Sequence, residues 1–81
     1  MKYKIEFKPR AAKDLRTINA IDARRILSKV RAMENDLAGD IKRLTNIEPQ
    51  YRLRVGNYRV LFSIENDLIT IYRIKHRREA Y

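Results

Sequence analysis

Residues 51–62 read Tyr-Arg-Leu-Arg-Val-Gly-Asn-Tyr-Arg-Val-Leu-Phe. Apolar and basic residues alternate on both sides of Gly56-Asn57, the pattern of two half-buried strands joined by a tight turn. Gly56 stands where a type II′ turn needs a glycine. With a two-residue loop, Val55 pairs with Tyr58, Arg54 with Arg59 and Arg52 with Leu61. Residues opposed across a ladder share a face. Arg52, Arg54 and Arg59 therefore share one face. Tyr51, Leu53, Val55, Tyr58, Val60, Phe62 and Ile64 share the other, which is the core face. Two directly opposed arginines repel each other, so this face is expected to hold an anion. The planar donor fork of arginine matches phosphate. A solvated face with ordinary surface arginines is the plainer alternative.

Downstream, Glu65-Asn66-Asp67 marks a second turn, and residues 68–74 read as a further strand. If Asn66-Asp67 is also a two-residue loop, Leu61 pairs with Tyr72, and Tyr72 joins the basic face. Arginines beside an exposed aromatic suit single-stranded nucleic acid, through phosphate contacts and base stacking. The stretch Arg73 to Tyr81 adds Lys75, His76, Arg77 and Arg78. It is expected to fold over the open face, or to be merely a basic tail.

Upstream, residues 2–8 alternate as a strand, with Tyr3, Ile5 and Phe7 on one side. Pro9 ends it and suits a first helical turn. Residues 9–18 read as a helix with Ala11, Leu15 and Ile18 on one stripe. After a break at Asn19, residues 21–38 read as a longer helix with Ile26, Leu27, Val30, Met33 and Leu37 at helical spacing. The two would form a helical hairpin. Gly39 is the expected C′ terminator, and residues 39–50, with Asn46 and Pro49, read as a loop. The predicted order is β-α-α-β-β-β. This is an α+β fold, with two helices on one face of an antiparallel sheet and the other face open.

The chain has 81 residues, 19 Lys+Arg against 10 Asp+Glu, a net charge of +9, one His and no Cys. That length predicts a single domain over residues 1–81. Without Cys there is no disulfide, thiol nucleophile or thiolate metal site, and one His excludes a multi-histidine site. No cofactor or metal is expected. No apolar run is long enough to span a membrane, and the alternating N-terminus does not read as a signal peptide's apolar core. A cytoplasmic protein without a membrane partner is expected. The charge attracts polyanions, nucleic acid first and an acidic protein partner second. A chain this short buries only about 60–65% of its unfolded surface, so a partner would add stability.

Cleavage of an RNA phosphodiester needs activation of the 2′-OH, stabilisation of charge on phosphorus oxygens and protonation of the 5′-oxygen. Fixed arginines meet the second need. His76 and Tyr81 are the nearest candidates for proton transfer. No carboxylate pair, glycine-rich phosphate loop or Ser/His/Asp set stands out. An enzyme built this way would depend on a host that positions the substrate.

The hairpin at 51–62, the stretch Ile71-Tyr-Arg-Ile-Lys-His-Arg-Arg-Glu-Ala-Tyr81 and the segment Asp40-Ile-Lys-Arg-Leu44 together resemble the RelE/ParE superfamily of toxins. The resemblance spans nearly the whole chain. It implies a microbial ribonuclease-like fold. It also implies a toxin of a type II toxin–antitoxin system that cleaves mRNA in the ribosomal A site by 2′-OH attack, without metal. On that resemblance Arg52 and Arg54 bind and polarise RNA and Arg59 stabilises the phosphorane. Arg77, or Arg78 or Lys75 with one residue of slack, serves as acid or charge stabiliser. Tyr81 positions the base and assists proton transfer. Arg52 and Arg54 stand where familiar RelE members carry lysines. An arginine stays protonated, so these positions keep a phosphate role rather than a base role. The implied partners are an acidic, partly disordered antitoxin, the ribosome with A-site mRNA, and operator DNA only through the antitoxin complex. The alternative within the superfamily is a ParE-like inhibitor of DNA gyrase without catalysis.

Overall fold

A computed structural model of the chain describes residues 2–44 and 49–79. The elements are β1 (Lys4–Phe7), α1 (Pro9–Arg16), α2 (Ala20–Ala32), β2 (Asp40–Arg43), β3 (Tyr51–Val55), β4 (Tyr58–Glu65) and β5 (Leu68–His76). The five strands form one sheet in the order β1-β5-β4-β3-β2. The fold class is the expected α+β, with two helices on one side of a mostly antiparallel sheet.

Several features differ from the expectations. Residues 40–43, read as loop, form the edge strand β2 beside β3; Asn46 lies outside the described residues. The first strand pairs with the last in parallel, Lys4 opposite Leu68 through Phe7 opposite Ile71. The second helix ends at Ala32 rather than near Gly39. Glu34-Asn35-Asp36 follow its cap at Met33, and Asn and Asp are poor helix formers. The first helix stops at Arg16, where the Thr17 hydroxyl and amide both donate to the Asp14 carbonyl oxygen.

The start of α2 follows from Asn19, whose side-chain oxygen accepts from the Asp22 amide at 2.9 Å as an N-cap. Ile26, Val30 and Met33 then face the sheet and are buried with Leu53, Val60, Phe62, Ile69 and Ile71. The Tyr51 ring stacks on Phe62 at 5.5 Å between centroids. The predicted core face is the observed one.

The register of β3 and β4 is the expected one, from Val55 opposite Tyr58 to Tyr51 opposite Phe62. Gly56, the first loop residue, has φ +57°, where the missing Cβ removes the steric cost. The register of β4 and β5 is not. Asn66-Asp67 is the loop, but a bulge interrupts the ladder: Phe62 pairs with Ile71 and Leu61 with Arg73. Tyr72 is the extra residue, so it does not pair with Leu61. Beyond the bulge, Ile74 faces the core opposite Val60, and Lys75 lies opposite Arg59.

Candidate nucleic-acid interface

On the face away from the helices, one rung crosses four strands: Asp40 on β2, Arg54 on β3, Arg59 on β4 and Lys75 on β5. The next rung carries Lys42, Arg52, Leu61 and Arg73. Two of these positions come from elements the sequence reading missed. Asp40 and Lys42 needed β2, whose alternation about Ile41 was the available signal. Lys75 needed the bulge.

The opposed pair Arg54 and Arg59 is real, but part of its counter-charge is internal. Asp40 Oδ1 lies 3.4 Å from Arg52 Nη1, and Oδ2 lies 3.9 Å from Arg54 Nη1. Arg52 also donates to the Asp40 carbonyl oxygen at 3.1 Å. Its side chain is only 13% exposed, so it works as a buttress under the face. Its Nε is buried and unpartnered among the described residues. Arg54 is exposed and, among the described residues, held by one long ion pair, a contact worth at most about 1 kcal/mol. Its guanidinium can turn to an incoming anion at little cost. Arg59 donates from Nη1 to the carbonyl oxygens of Gly56 and Tyr58, both at 2.9 Å. These bonds aim the group across the hairpin end, and among the described residues they engage none of its other nitrogens. The arrangement is a row of three cations with one carboxylate at its edge, a donor set that fits a polyanion.

The other predicted site residues divide between the two faces. Tyr72, at the bulge, is exposed, and its ring lies 5.7 Å from the Lys8 ammonium. With Ser63 and Thr70 it lines a shallow pocket of the open face. Arg77 follows the end of β5; its amide donates to the Asn57 carbonyl oxygen at 2.7 Å, which puts it at the hairpin end beside Arg59. His76, by contrast, lies opposite Tyr58 on the core-face register. The two rings meet edge to face at 5.6 Å, and His76 Nδ1 accepts from the amide and Nε of Arg78 at 3.3 and 3.4 Å. His76 and the Arg78 group it holds are thus not gathered with Arg54 and Arg59. Tyr81 lies outside the described residues.

Beside α1, Asp14, Tyr58, His76 and Glu79 line a cleft of about 370 Å³ that Arg73 and Lys75 also border from β5. Asp14 accepts from Arg73 Nε at 2.7 Å and Nη2 at 3.2 Å, and from the Ile74 amide at 3.0 Å. Burial alone would raise its pKa. The Arg73 hydrogen bond, the Ile74 amide and the Arg73 charge outweigh that and hold the carboxyl below its ordinary value. The same pair raises Arg73.

This fold has known counterparts. A family model described as the ParE toxin of the type II toxin-antitoxin system parDE matches residues 5–81. The chain belongs to the RelE/ParE superfamily of type II toxins. Toxin RelE3 of Methanocaldococcus jannaschii is 43% identical over 47 residues, an alignment that spans 58% of this chain and 53% of that one. The crystal structure of the RelB-RelE antitoxin-toxin complex from Methanococcus jannaschii is similar at TM-score 0.78 and 30% identity over 93% of each chain. The archaeal RelE-RelB complex from Pyrococcus horikoshii OT3 gives TM-score 0.80 and 26% identity, covering 99% of this RelE/ParE chain and 100% of that chain.

Proposed function

We propose that this toxin is a ribosome-dependent mRNA endonuclease, acting in the cytoplasm and neutralised by a cognate acidic antitoxin. The observation that carries the reading is the Arg54–Arg59–Lys75 row on a face the helices leave open. An in-line attack of a 2′-OH on the adjacent phosphorus builds negative charge on the non-bridging oxygens. Fixed guanidinium donors stabilise that charge more than they stabilise the ground state. Arg59, aimed by its two carbonyl contacts, is assigned to the phosphorane. Arg54 and the buttressed Arg52 bind the backbone, with Lys75 and Arg77 at the leaving-group side. Tyr72 offers a ring for stacking, and Tyr81 is retained from the family resemblance as the base-positioning residue. Arg78 contributes to RNA binding from the turn it forms with His76. An arginine guanidinium does not serve as a base, so the ribosome is expected to align the 2′-OH and supply much of the rate through positioning. The antitoxin assignment rests on the similarity to the RelB-RelE antitoxin-toxin complex from Methanococcus jannaschii and on the +9 charge.

The test is cleavage of a defined mRNA on purified ribosomes with an empty A site. Wild type is expected to cut within the A-site codon, without added metal beyond what the ribosome needs. Arg59→Ala is expected to lower the rate by about 10²-fold with the fold intact by circular dichroism. Undiminished cutting by both Arg59→Ala and Arg77→Ala would refute the site.

A second reading has its own observation, because the matching family model is that of ParE. In that reading the basic face binds DNA gyrase and no RNA is cut. Supercoiling assays with purified gyrase separate the two.

A further inference from the structure

The geometry points to Asp14 and Arg73 as a register clamp: they fix the β5 bulge and so deliver Lys75 to the arginine row. The inference deepens the nuclease reading and rests on it for the role of Lys75.

Up to Phe62 opposite Ile71, β5 alternates without interruption. Had the alternation continued, Ile74 would face outward and Lys75 would face the helices. The bulge inverts both, while Tyr72 is exposed and Arg73 still reaches Asp14 of α1. Ile74 is 4% exposed in the core, and Lys75 stands opposite Arg59. A one-residue slip of a strand moves every following side chain to the other face, so Lys75 stands opposite Arg59 only if the extra residue is absorbed before it. Burial of Ile74 favours the observed register. A long strand can still absorb an extra residue at more than one point unless something marks the place.

Asp14 marks it. The carboxylate binds the two residues immediately after the bulge, the Arg73 side chain by two bonds and the Ile74 amide by one. The amide contact has a second use. The partner strand β1 ends opposite Ile71, so the Ile74 N–H points from a sheet edge that has lost its neighbour. Asp14 supplies the acceptor that β1 no longer does. Helix α1 is held against the sheet by fully buried Ala11, which makes Asp14 a fixed point rather than a mobile surface group. Asp14 and Arg73 are positioning residues: they act on the reaction through Lys75.

The test pairs NMR with kinetics on the full chain. Wild type is expected to show cross-strand backbone NOEs between Arg59 and Lys75. Asp14→Ala is expected to lose them and to cut ribosome-bound mRNA about 10²-fold more slowly, chiefly in kcat. Asp14→Asn keeps an oxygen for the Ile74 amide and is expected to recover both signals in large part. Leu15→Ala, a neighbouring packing variant that leaves the clamp whole, is expected to lower Tm yet keep both signals below its melting range. Persistence of the Arg59–Lys75 NOEs in Asp14→Ala would overturn the inference. So would activity losses in Asp14→Ala and Leu15→Ala that simply follow Tm. Should Asp14→Ala fail to fold, Arg73→Ala, which spares the Ile74 bond, is read by the same criteria. A wild type that cuts no mRNA would sink the nuclease reading alone, and the NOE comparison would still decide the clamp.

Discussion

Arg54 and Arg59 show how neighbouring charges of one sign are kept together and kept usable. Asp40 shares its carboxylate between Arg52 and Arg54, while Arg59 spends one nitrogen on hairpin carbonyls. Asp40 is therefore a brake on anion binding as well as a support. Asp40→Asn is expected to cost about 1 kcal/mol of stability, because Asp40 is exposed and both contacts are long, and to tighten binding of a short single-stranded RNA in a fluorescence titration. Weaker binding would mean that Asp40 orients the arginines more than it competes with the ligand. The sequence alone revealed the arginine pair, since a two-residue Gly-Asn loop leaves one register. It did not reveal Asp40, because a four-residue edge strand with only Ile41 turned inward looks like a loop. Nor did it separate His76 from the basic face, because that depends on a bulge with no local signature.

Among the elements, the two glycines differ in what they hold. Gly56 has φ +57°, and a Cβ there would meet only Arg25 Nη1 at 3.7 Å. Gly39 has φ +122°, and a Cβ there would fall 2.8 Å from Leu53 Cδ1, a fully buried side chain. Gly56→Ala is expected to cost about 1 kcal/mol, from backbone conformation alone. Gly39→Ala is expected to cost roughly twice that or more, as strain and overpacking add. Urea titration orders the two; a milder effect at Gly39 would mean that the turn before β2 adapts freely. The clamp between α1 and β5 has a pH signature. The Asp14 pKa is lowered in the fold, so its contribution is present above the unfolded value, about 3.9, and is lost as pH falls through the folded value. The Tm gap between wild type and Asp14→Asn is expected to be full at pH 6 and to narrow below about pH 4. A gap that widens in acid would contradict the pairing. The parallel pairing of β1 with β5 was not legible, because strands far apart in sequence leave no local mark of which edge they join. Both helices were, from apolar spacing, although their ends were not: capping at Thr17 and Met33 decided those.

For the whole molecule, the +9 charge can now be divided. One part is concentrated in the row across β3, β4 and β5. The rest is spread over the helices and the Lys42 edge, a surface suited to an acidic partner. Binding of single-stranded RNA is expected to weaken with salt by a slope of about −0.7 per phosphate contact, and Arg54→Ala to reduce the slope by one such step. An unchanged slope would remove Arg54 from the contact set. The central claim is that the arginine row serves RNA cleavage rather than gyrase inhibition. Mapping mRNA 5′ ends across the transcriptome after induction of wild type and of Arg59→Ala tests it most directly. New ends in phase with codons are expected for wild type, and their loss in the variant. Growth arrest with DNA-damage signalling and no new codon-phased ends would contradict it.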